Sequence, residues 1–576
     1  MWQHDYFKIS VVLWLLLLPM VQLEAMESSD FMLNSGATFE HGEKMETFEQ
    51  SPTEMLDQVD IAAPQETVLA EKSNGKDSNF FDILEFQVEG NTKLTKMQVE
   101  AAIYPQMGER KTIADVEKAR ESLEKTYHQA GYLTVLVDIP EQDVDKKIVR
   151  LNVTEGKVGF LRVKDSKYFT LGRIKQLASS VKEGEVPHFP TLQKDIARLN
   201  RTDDMRVTPV LRAGKVFGTV DVDLKVEDRL PVHGNLELND RYSENTSRWR
   251  LGGMIKYDNL WQREHSLSLS FLTSPEKTSE VQVLSANYLM RFDESDKILA
   301  MYGIKSNSSV STIGGINILG KGTIVGVRLI NPLPGLDNYY HSISFGADYK
   351  DLGQTVEFGQ SFNTPVTYVP ISSAYSGTLQ DSSGFTQIGA GITFGMRGFI
   401  ADDAEFKAKR WNTVTNTNAK TDFFIAKADL SRTQKLPWDF QGYAKVDGQF
   451  SGDLLIPNEQ YLAGGVDTVR GYLESQVAGD QGIHTTLELR TPSLFKTIDW
   501  LQDFKLSAFY DAAELITIDP SVGQKEKVLL SAVGVGMRMK AWKRFNFNLD
   551  FATALKSYGV IQKGDIASHI RLLYEF

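Results

Sequence analysis

QIGAGITFGM, at residues 387–396, alternates with a period of two. Ile388, Ala390, Ile392, Phe394 and Met396 fall on one side, and Gln387, Gly389, Gly391, Thr393 and Gly395 on the other. Strict alternation sends successive side chains to opposite faces of a β-strand. A soluble antiparallel sheet also alternates, so a single strand decides nothing. What decides here is the second face, which is small and polar. That face suits a hydrated lumen, and the apolar face then suits lipid.

The pattern repeats outward in both directions. Upstream, Leu267, Leu269 and Phe271 alternate with Ser266, Ser268 and Ser270. Ile343, Phe345, Ala347 and Tyr349 alternate with Ser342, Ser344, Gly346 and Asp348. Downstream, Phe440, Ala444, Val446 and Phe450 oppose Gln441, Lys445, Asp447 and Gln449. Phe545, Phe547, Leu549 and Phe551 oppose Asn546, Asn548 and Asp550. The last strand carries Ile570, Leu572, Tyr574 and Phe576 against His569, Arg571, Leu573 and Glu575, and the chain ends on the aromatic. After Pro231 no helical domain pattern appears, and no segment after the N-terminus holds 18 consecutive apolar residues. If this part meets a membrane it does so as a closed antiparallel β-barrel, the other structure that satisfies its backbone in lipid.

Before the barrel the texture differs. Leu84, Phe86 and Val88 alternate, Gly90-Asn91 turns the chain, and a helix is expected near 95–104. Ile113, Val116, Ala119, Leu123 and Tyr127 then recur at helical spacing up to a Gly131 cap. Strands follow at 133–137 and 148–153. The same strand–helix–helix–strand–strand order recurs from Phe160 to Asp228, with Leu192, Ile196 and Leu199 on its helix and strands at 207–211 and 216–226. Two small α/β modules therefore stand in tandem ahead of the barrel.

Residues 1–25, MWQHDYFKISVVLWLLLLPMVQLEA, have the parts of a secretory signal: Lys8, an apolar run over 9–18, and Ala25 at a cleavage region. Residues 26–81 form an acidic, flexible segment and linker. Between Met26 and Asn79 there are 12 acidic and 3 basic residues, which leaves the rest of the chain near neutrality within a net charge of -12. Ser51-Pro52-Thr53-Glu54 is a capping-box pattern, which leaves two readings of 52–61 open, a short helix able to plug a pore and a solvated tail. The chain has no cysteine, so it holds no disulfide, thiolate nucleophile or cysteine metal site. The acidic balance argues against nucleic acid as a partner.

One stretch stands apart from the strands: LIPNEQYLAGGVDTVRGYLESQVAGDQGIHTTLELR, residues 455–490. Its glycines make it loop-like, and Val469-Arg470-Gly471-Tyr472 sets one long cation among turn residues. Long ordered loops between strands are uncommon unless they have a function.

The opening FQVEGNTKL (86–94), YHQAGY (127–132), VTEG (153–156), and RLN (198–200) followed by LRAGKVFGTVDVDLKV (211–226) resemble POTRA domains. With the barrel, and with Leu455-Ile456-Pro457, Glu459-Gln460-Tyr461, Gly464-Gly465, Val469–Tyr472, Gly479-Asp480 and Leu487-Glu488-Leu489-Arg490, the chain resembles the two-partner secretion transporters of the ShlB/FhaC/HecB group. The resemblance implies POTRA 1 at 82–158, POTRA 2 at 159–229, and a transmembrane barrel of about sixteen strands at 230–576, with 455–490 as an in-folded sixth extracellular loop. It implies that Arg470 pairs with the Asp of an inward Phe-x-Asp element, supplied here by Phe509-Tyr510-Asp511. The family's glycine after that Asp is Ala512 here. It also implies that Tyr574 and Phe576 belong to the C-terminal signal read by the barrel assembly machinery.

The function it implies is a type V secretion pore in the outer membrane of a Gram-negative bacterium. Its POTRA domains would lie in the periplasm and recognise an unfolded exoprotein partner, with the pore acting as a monomer. An alternative is a POTRA-barrel assembly factor that inserts other outer-membrane proteins; a haem or solute uptake porin is a more distant one. The sequence holds no G-x-S-x-G elbow, H-E-x-x-H, Walker loop, or G-x-G-x-x-G after a strand, and its histidines are scattered. It is read as a non-enzyme without catalytic, cofactor-binding or metal-ligating residues. The cargo, whether an adhesin, a haemolysin or a contact-dependent toxin, is left open.

Overall fold

The structure, a computed structural model, describes residues 80–576 apart from 144–145, 245, 294, 309, 314–315, 320, 337, 354, 358–359, 363–364 and 522. The expected signal and the acidic segment, with its 52–61 stretch, lie outside the described residues. The chain divides into two compact units, with the boundary in sequence between Pro231 and Val232.

In the first unit, strand Glu85–Glu89 runs parallel to Ile148–Glu155, which pairs antiparallel with Val135–Asp138. Helices Lys96–Ile103 and Ile113–Gln129 lie between them in sequence. Both helices start at capping boxes, with Thr95 paired to Gln98 and Thr112 to Asp115. Val116, Ala119, Leu123 and Tyr127 on the long helix meet Val135, Val149 and Leu151 of the sheet in one core. The Gly90-Asn91 turn is held by the buried Glu155, which accepts the backbone N–H groups of Thr92 (2.7 Å) and Lys93 (2.9 Å).

The second module repeats this plan. Lys157–Lys164 runs parallel to Thr219–Asp228, which pairs antiparallel with Met205–Ala213. Helices Leu171–Leu177 and Phe189–Leu199 pack on them through Ile174, Leu177, Leu192 and Leu199. The strand expected at 216–226 begins later, because Val216 and Phe217 are exposed in the turn and Thr219 closes onto the Val216 carbonyl.

The second unit is a closed antiparallel barrel. Its strands are β1 (Val232–Asn239), β2 (Arg250–Leu260), β3 (His265–Thr273), β4 (Gln282–Arg291), β5 (Ile298–Asn307), β6 (Gly322–Pro332) and β7 (Tyr339–Leu352). Then come β8 (Val366–Tyr368 continued by Ile371–Asp381), β9 (Gly384–Phe394), β10 (Phe424–Lys435), β11 (Gln441–Phe450) and β12 (Gln481–Arg490). The wall ends with β13 (Leu501–Ile516), β14 (Lys527–Ala541), β15 (Phe545–Ala554) and β16 (Ile566–Glu575). The two halves of β8 are separated by Val369-Pro370 and pair end to end along β7. Among the described residues the wall therefore has sixteen strand positions. Closure is made by β16 on β1, from Arg571 opposite Asn239 to Glu575 opposite Asn235, and the Phe576 amide donates to the Gly234 carbonyl.

Faces separate as the alternation requires. Ile255, Leu269, Leu284, Val325, Phe345, Ile388, Leu430, Ile483, Leu487, Val535 and Phe551 are exposed on the outside. Ser285, Ser342, Asp348, Ser431, Thr486, Glu488, Ser507 and Asp550 are buried on the inside. Exposed Leu and Phe over so many strands cover a surface that water would disfavour and that hydrocarbon accepts. Tyr574 and Phe576 stand on the outer face, stacked with ring centroids 6.3 Å apart.

Short turns join the strands at the end where the chain enters and finishes. Long connections join them at the other end, and the sixth of these runs over 451–480. It is shorter than the 455–490 read from the sequence. Gln481–Arg490 is strand β12, paired on both edges and alternating Ile483 and Leu487 outward with His484, Thr486 and Glu488 inward.

Candidate functional site

The sixth connection folds into the lumen. Two pieces of it, Tyr461–Ala463 and Val477–Gly479, pair as an antiparallel ribbon and bring the tip, 464–476, against β12–β15. Gly464 (φ 110°) and Gly471 (φ 109°) take left-handed backbone that residues with a Cβ rarely adopt. A Cβ on Gly471 would also lie 3.1 Å from the Cβ of Ala532. The seat for the tip is a patch of small wall residues, Ala513, Ala532, Ala552 and Ala554, on which Val469 and Tyr472 are fully buried. The Tyr472 hydroxyl donates to the carbonyl oxygens of Lys556 (2.7 Å) and Ser531 (3.2 Å).

Arg470 is 5% exposed and Asp511 fully enclosed. The guanidinium binds Asp511 as a fork, Nε to Oδ2 at 2.8 Å and Nη2 to Oδ1 at 3.1 Å, and the Arg470 backbone N–H donates to Oδ2 at 3.2 Å. Its remaining arm, Nη1, reaches Glu488 Oε2 at 3.1 Å and lies 3.8 Å from Asp550 Oδ1. Phe509, two residues before Asp511 and so on the same inward face, places its ring under the guanidinium with the Cζ 3.3 Å from the centroid. Thr486 completes Asp511 with a hydroxyl at 3.0 Å.

Charges around the fork are balanced. Glu488 also accepts from Arg490 Nε (2.9 Å), and Asp550 takes both arms of Arg538 (2.8 and 2.9 Å). Three guanidinium groups thus face three carboxylates. Each enclosed ion has a partner, which is what makes it tolerable away from bulk water. Ala512, where the resemblance expects glycine, is on the outward parity of β13, so its methyl does not enter this network.

Further anchors hold the loop. Lys350 and Tyr368 both donate to Glu459 Oε1 at 2.5 Å. Arg241 of the first connection binds Asp467 and, at 3.1 Å, Glu474. His484 of β12 bridges Asp447 (2.7 Å) and the Thr468 carbonyl (2.8 Å). Arg410 of the fifth connection grips Asp480. Sequence reasoning had singled out none of these pairings, nor the roles of Glu488 and Asp550. Strand parity alone puts Glu488 and Asp550 inside, but it does not say which cation reaches them.

The profile of haemolysin secretion/activation protein ShlB/FhaC/HecB matches residues 218–322 and 364–539, and that of the ShlB-type POTRA domain matches 81–156. The haem/hemopexin transporter HuxB of Haemophilus influenzae is 21% identical over 462 residues, 78% of this chain and 79% of the relative. The outer membrane transporter CdiB of Escherichia coli O6:K15:H31 is 22% identical over 492 residues, 83% and 81% of the two chains. Among solved structures, CdiB from Escherichia coli superposes with a TM-score of 0.60 at 18% identity, covering 91% of this chain and 95% of that one. BamA from Haemophilus ducreyi lacking POTRA domains 1–3 superposes with a TM-score of 0.53 at 12% identity, covering 86% and 100%. With this barrel and these POTRA-type modules, the chain belongs to the ShlB/FhaC/HecB family of outer-membrane secretion transporters.

Proposed function

We propose that this transporter exports a single large partner protein across the outer membrane, and that Arg470 and Asp511 hold the 451–480 loop in the position from which export starts. The partner reaches the periplasm unfolded. The POTRA modules catch its N-terminal region, with β-augmentation on an open strand edge as the recognition mode tolerant of side chains. The chain then crosses the lumen once the loop has moved aside, and folding of the partner outside gives the process direction. Assembly of the pore itself uses the C-terminal strand ending at Tyr574 and Phe576. The pore works as a monomer and performs no covalent chemistry.

The observation that carries this reading is the fork of Arg470 on Asp511 at 2.8 and 3.1 Å, inside a lumen that the loop occupies. A buried, forked ion pair of this kind serves as a holding device. Arg470→Ala and Asp511→Ala are expected to leave the barrel in the outer membrane while reducing partner secretion to below about a tenth. That loss follows from the ~3–5 kcal/mol that removing one member of a buried pair costs. Normal secretion by both variants would overturn the assigned role.

A further inference from the structure

The in-folded loop is also fastened where it begins and where it ends. Arg410 directly follows the helix Asp403–Lys409 of the fifth connection, and its N–H continues that helix by donating to Phe406 O at 3.1 Å. The helix is itself fixed. Asp402 caps it (2.8 Å to the Ala404 N–H), Asp403 accepts the N–H and hydroxyl of Thr421 (3.1 and 2.7 Å), and Glu405 accepts the N–H of Thr367 on β8 (2.9 Å). Phe406 is fully buried against Tyr368 and Phe423, in a core that also holds Leu455 and Ile456 from the start of the sixth connection.

From this mount Arg410 grips the fully enclosed Asp480, the last residue before β12, with both arms, Nη2 to Oδ2 at 2.9 Å. The pair then closes onto two backbone segments in the same manner. Leu455 donates its N–H to Asp480 (3.0 Å), and its carbonyl accepts from Arg410 Nη1 (2.8 Å). Ile518 of the seventh connection donates its N–H to Asp480 (2.7 Å), and its carbonyl accepts from Arg410 Nη2 (2.8 Å). The side chain of Gln460 adds a bond to Asp480 at 3.2 Å. One ion pair thus satisfies the backbone N–H and carbonyl groups of Leu455 and Ile518 and joins the fifth, sixth and seventh connections. Nearby, Asn412 binds Asp519 Oδ1 (3.0 Å) and Thr415 binds Asp519 Oδ2 (2.5 Å), tying the fifth connection to the seventh again.

We infer that Arg410 and Asp480 are a mouth latch: they position the base of the 451–480 loop independently of Arg470, and they must part before the lumen opens outward. This rests on the export reading, but its test needs no partner protein. Because the chain contains no cysteine, Leu455→Cys supplies a single thiol at a position only 1% exposed. Maleimide labelling of that thiol in the outer membrane, and single-channel recording of the purified full chain in planar bilayers, would be compared among Arg410→Ala, Asp480→Asn, Arg410→Lys and the double variant Arg410→Ala/Asp480→Asn. The latch predicts an at least about tenfold rise in labelling rate and open probability for each single change, as loss of one member of a buried pair permits. It predicts a smaller rise for Arg410→Lys, which keeps the charge but loses the fork, and no further rise in the double variant, since the two residues act as one unit. Labelling and conductance unchanged in Arg410→Ala would overturn the latch. So would additive effects in the double variant. Should Arg410→Ala fail to insert, unchanged labelling in Arg410→Lys would overturn it as well. Partner secretion measured in parallel separates the outcomes, because a failed latch leaves secretion dependent on Arg470 and Asp511.

Discussion

Arg470 engages three carboxylates of the lumen wall, and only Asp511 receives the fork. Glu488 keeps Arg490 and Asp550 keeps Arg538 when Arg470 is lost, so Asp511 alone is left without a cation. Asp511→Ala is therefore expected to disturb the loop more than Glu488→Gln, measured as protease sensitivity of 464–476 in intact cells. Arg470→Lys is expected to restore less than half of the loop's protection, because a point charge cannot reproduce two parallel hydrogen bonds. Gly471→Ala places a Cβ at φ 109° and 3.1 Å from Ala532, and should weaken the docked tip by about 1–3 kcal/mol. In the sequence Arg470 stands out by its turn-residue neighbours, and Asp511 follows only through the resemblance. The partners Glu488 and Asp550 lie on inward positions, but nothing local says that guanidinium groups from three segments converge on them. Arg470 stands 18 positions from Glu488 and 80 from Asp550, and reaches them only once the barrel closes.

At the scale of elements, the loop needs a seat as much as an ion pair. Ala532 and Ala552 lie beneath Gly471, so Ala552→Leu should exclude the tip while leaving the strands paired. Faster proteolysis of the loop with unchanged heat-modifiability of the barrel would show this. In the second α/β module, Asp228 ends its strand and accepts the N–H groups of Lys167 (2.9 Å), Tyr168 (2.7 Å) and Phe169 (3.2 Å), together with the Ser166 hydroxyl (3.1 Å). Burial pushes its carboxyl up, but these donors outweigh that and hold it below the ordinary carboxylate value. A depressed folded-state value contributes stability that is present above the ordinary, unfolded value and is lost as pH falls through the folded one. Asp228→Asn should thus raise hydrogen exchange over 157–228 at neutral pH by the equivalent of about 1–3 kcal/mol, and the difference from the parent should vanish in strong acid. Helix limits were legible where chemistry marks them. Ile113–Gln129 lies between Thr112, which caps it, and Gly131. Less legible was the end of the long loop. Leu487 and Leu489 alternate as β12 requires, but Gly479, Gly482 and Asp480 read as turn residues until the neighbouring strands supply their pairing.

The whole molecule follows from one repeated choice of residue. Small polar side chains on one parity and apolar ones on the other make each strand fit a wall between water and lipid, and closure of β16 on β1 removes the open edge. This much was readable from 387–396 and its relatives, since alternation is local. Which strands adjoin, and that the sixth connection turns inward, depend on pairings that no local pattern encodes. A lumen occupied by its own loop, preceded by two modules with open sheet edges, distinguishes an export pore for a polypeptide from a passive channel. BamA shares the barrel fold, so the separation from an assembly factor must come from the number of client proteins. The most direct measurement is a quantitative comparison of the secreted and outer-membrane proteomes before and after deletion of this chain, with re-expression of the parent and of Arg470→Ala. Export of a single partner predicts that one large exoprotein disappears, returns with the parent and stays absent with Arg470→Ala, while other barrels keep their levels. A general fall in outer-membrane barrels, with no single exoprotein lost, would contradict it.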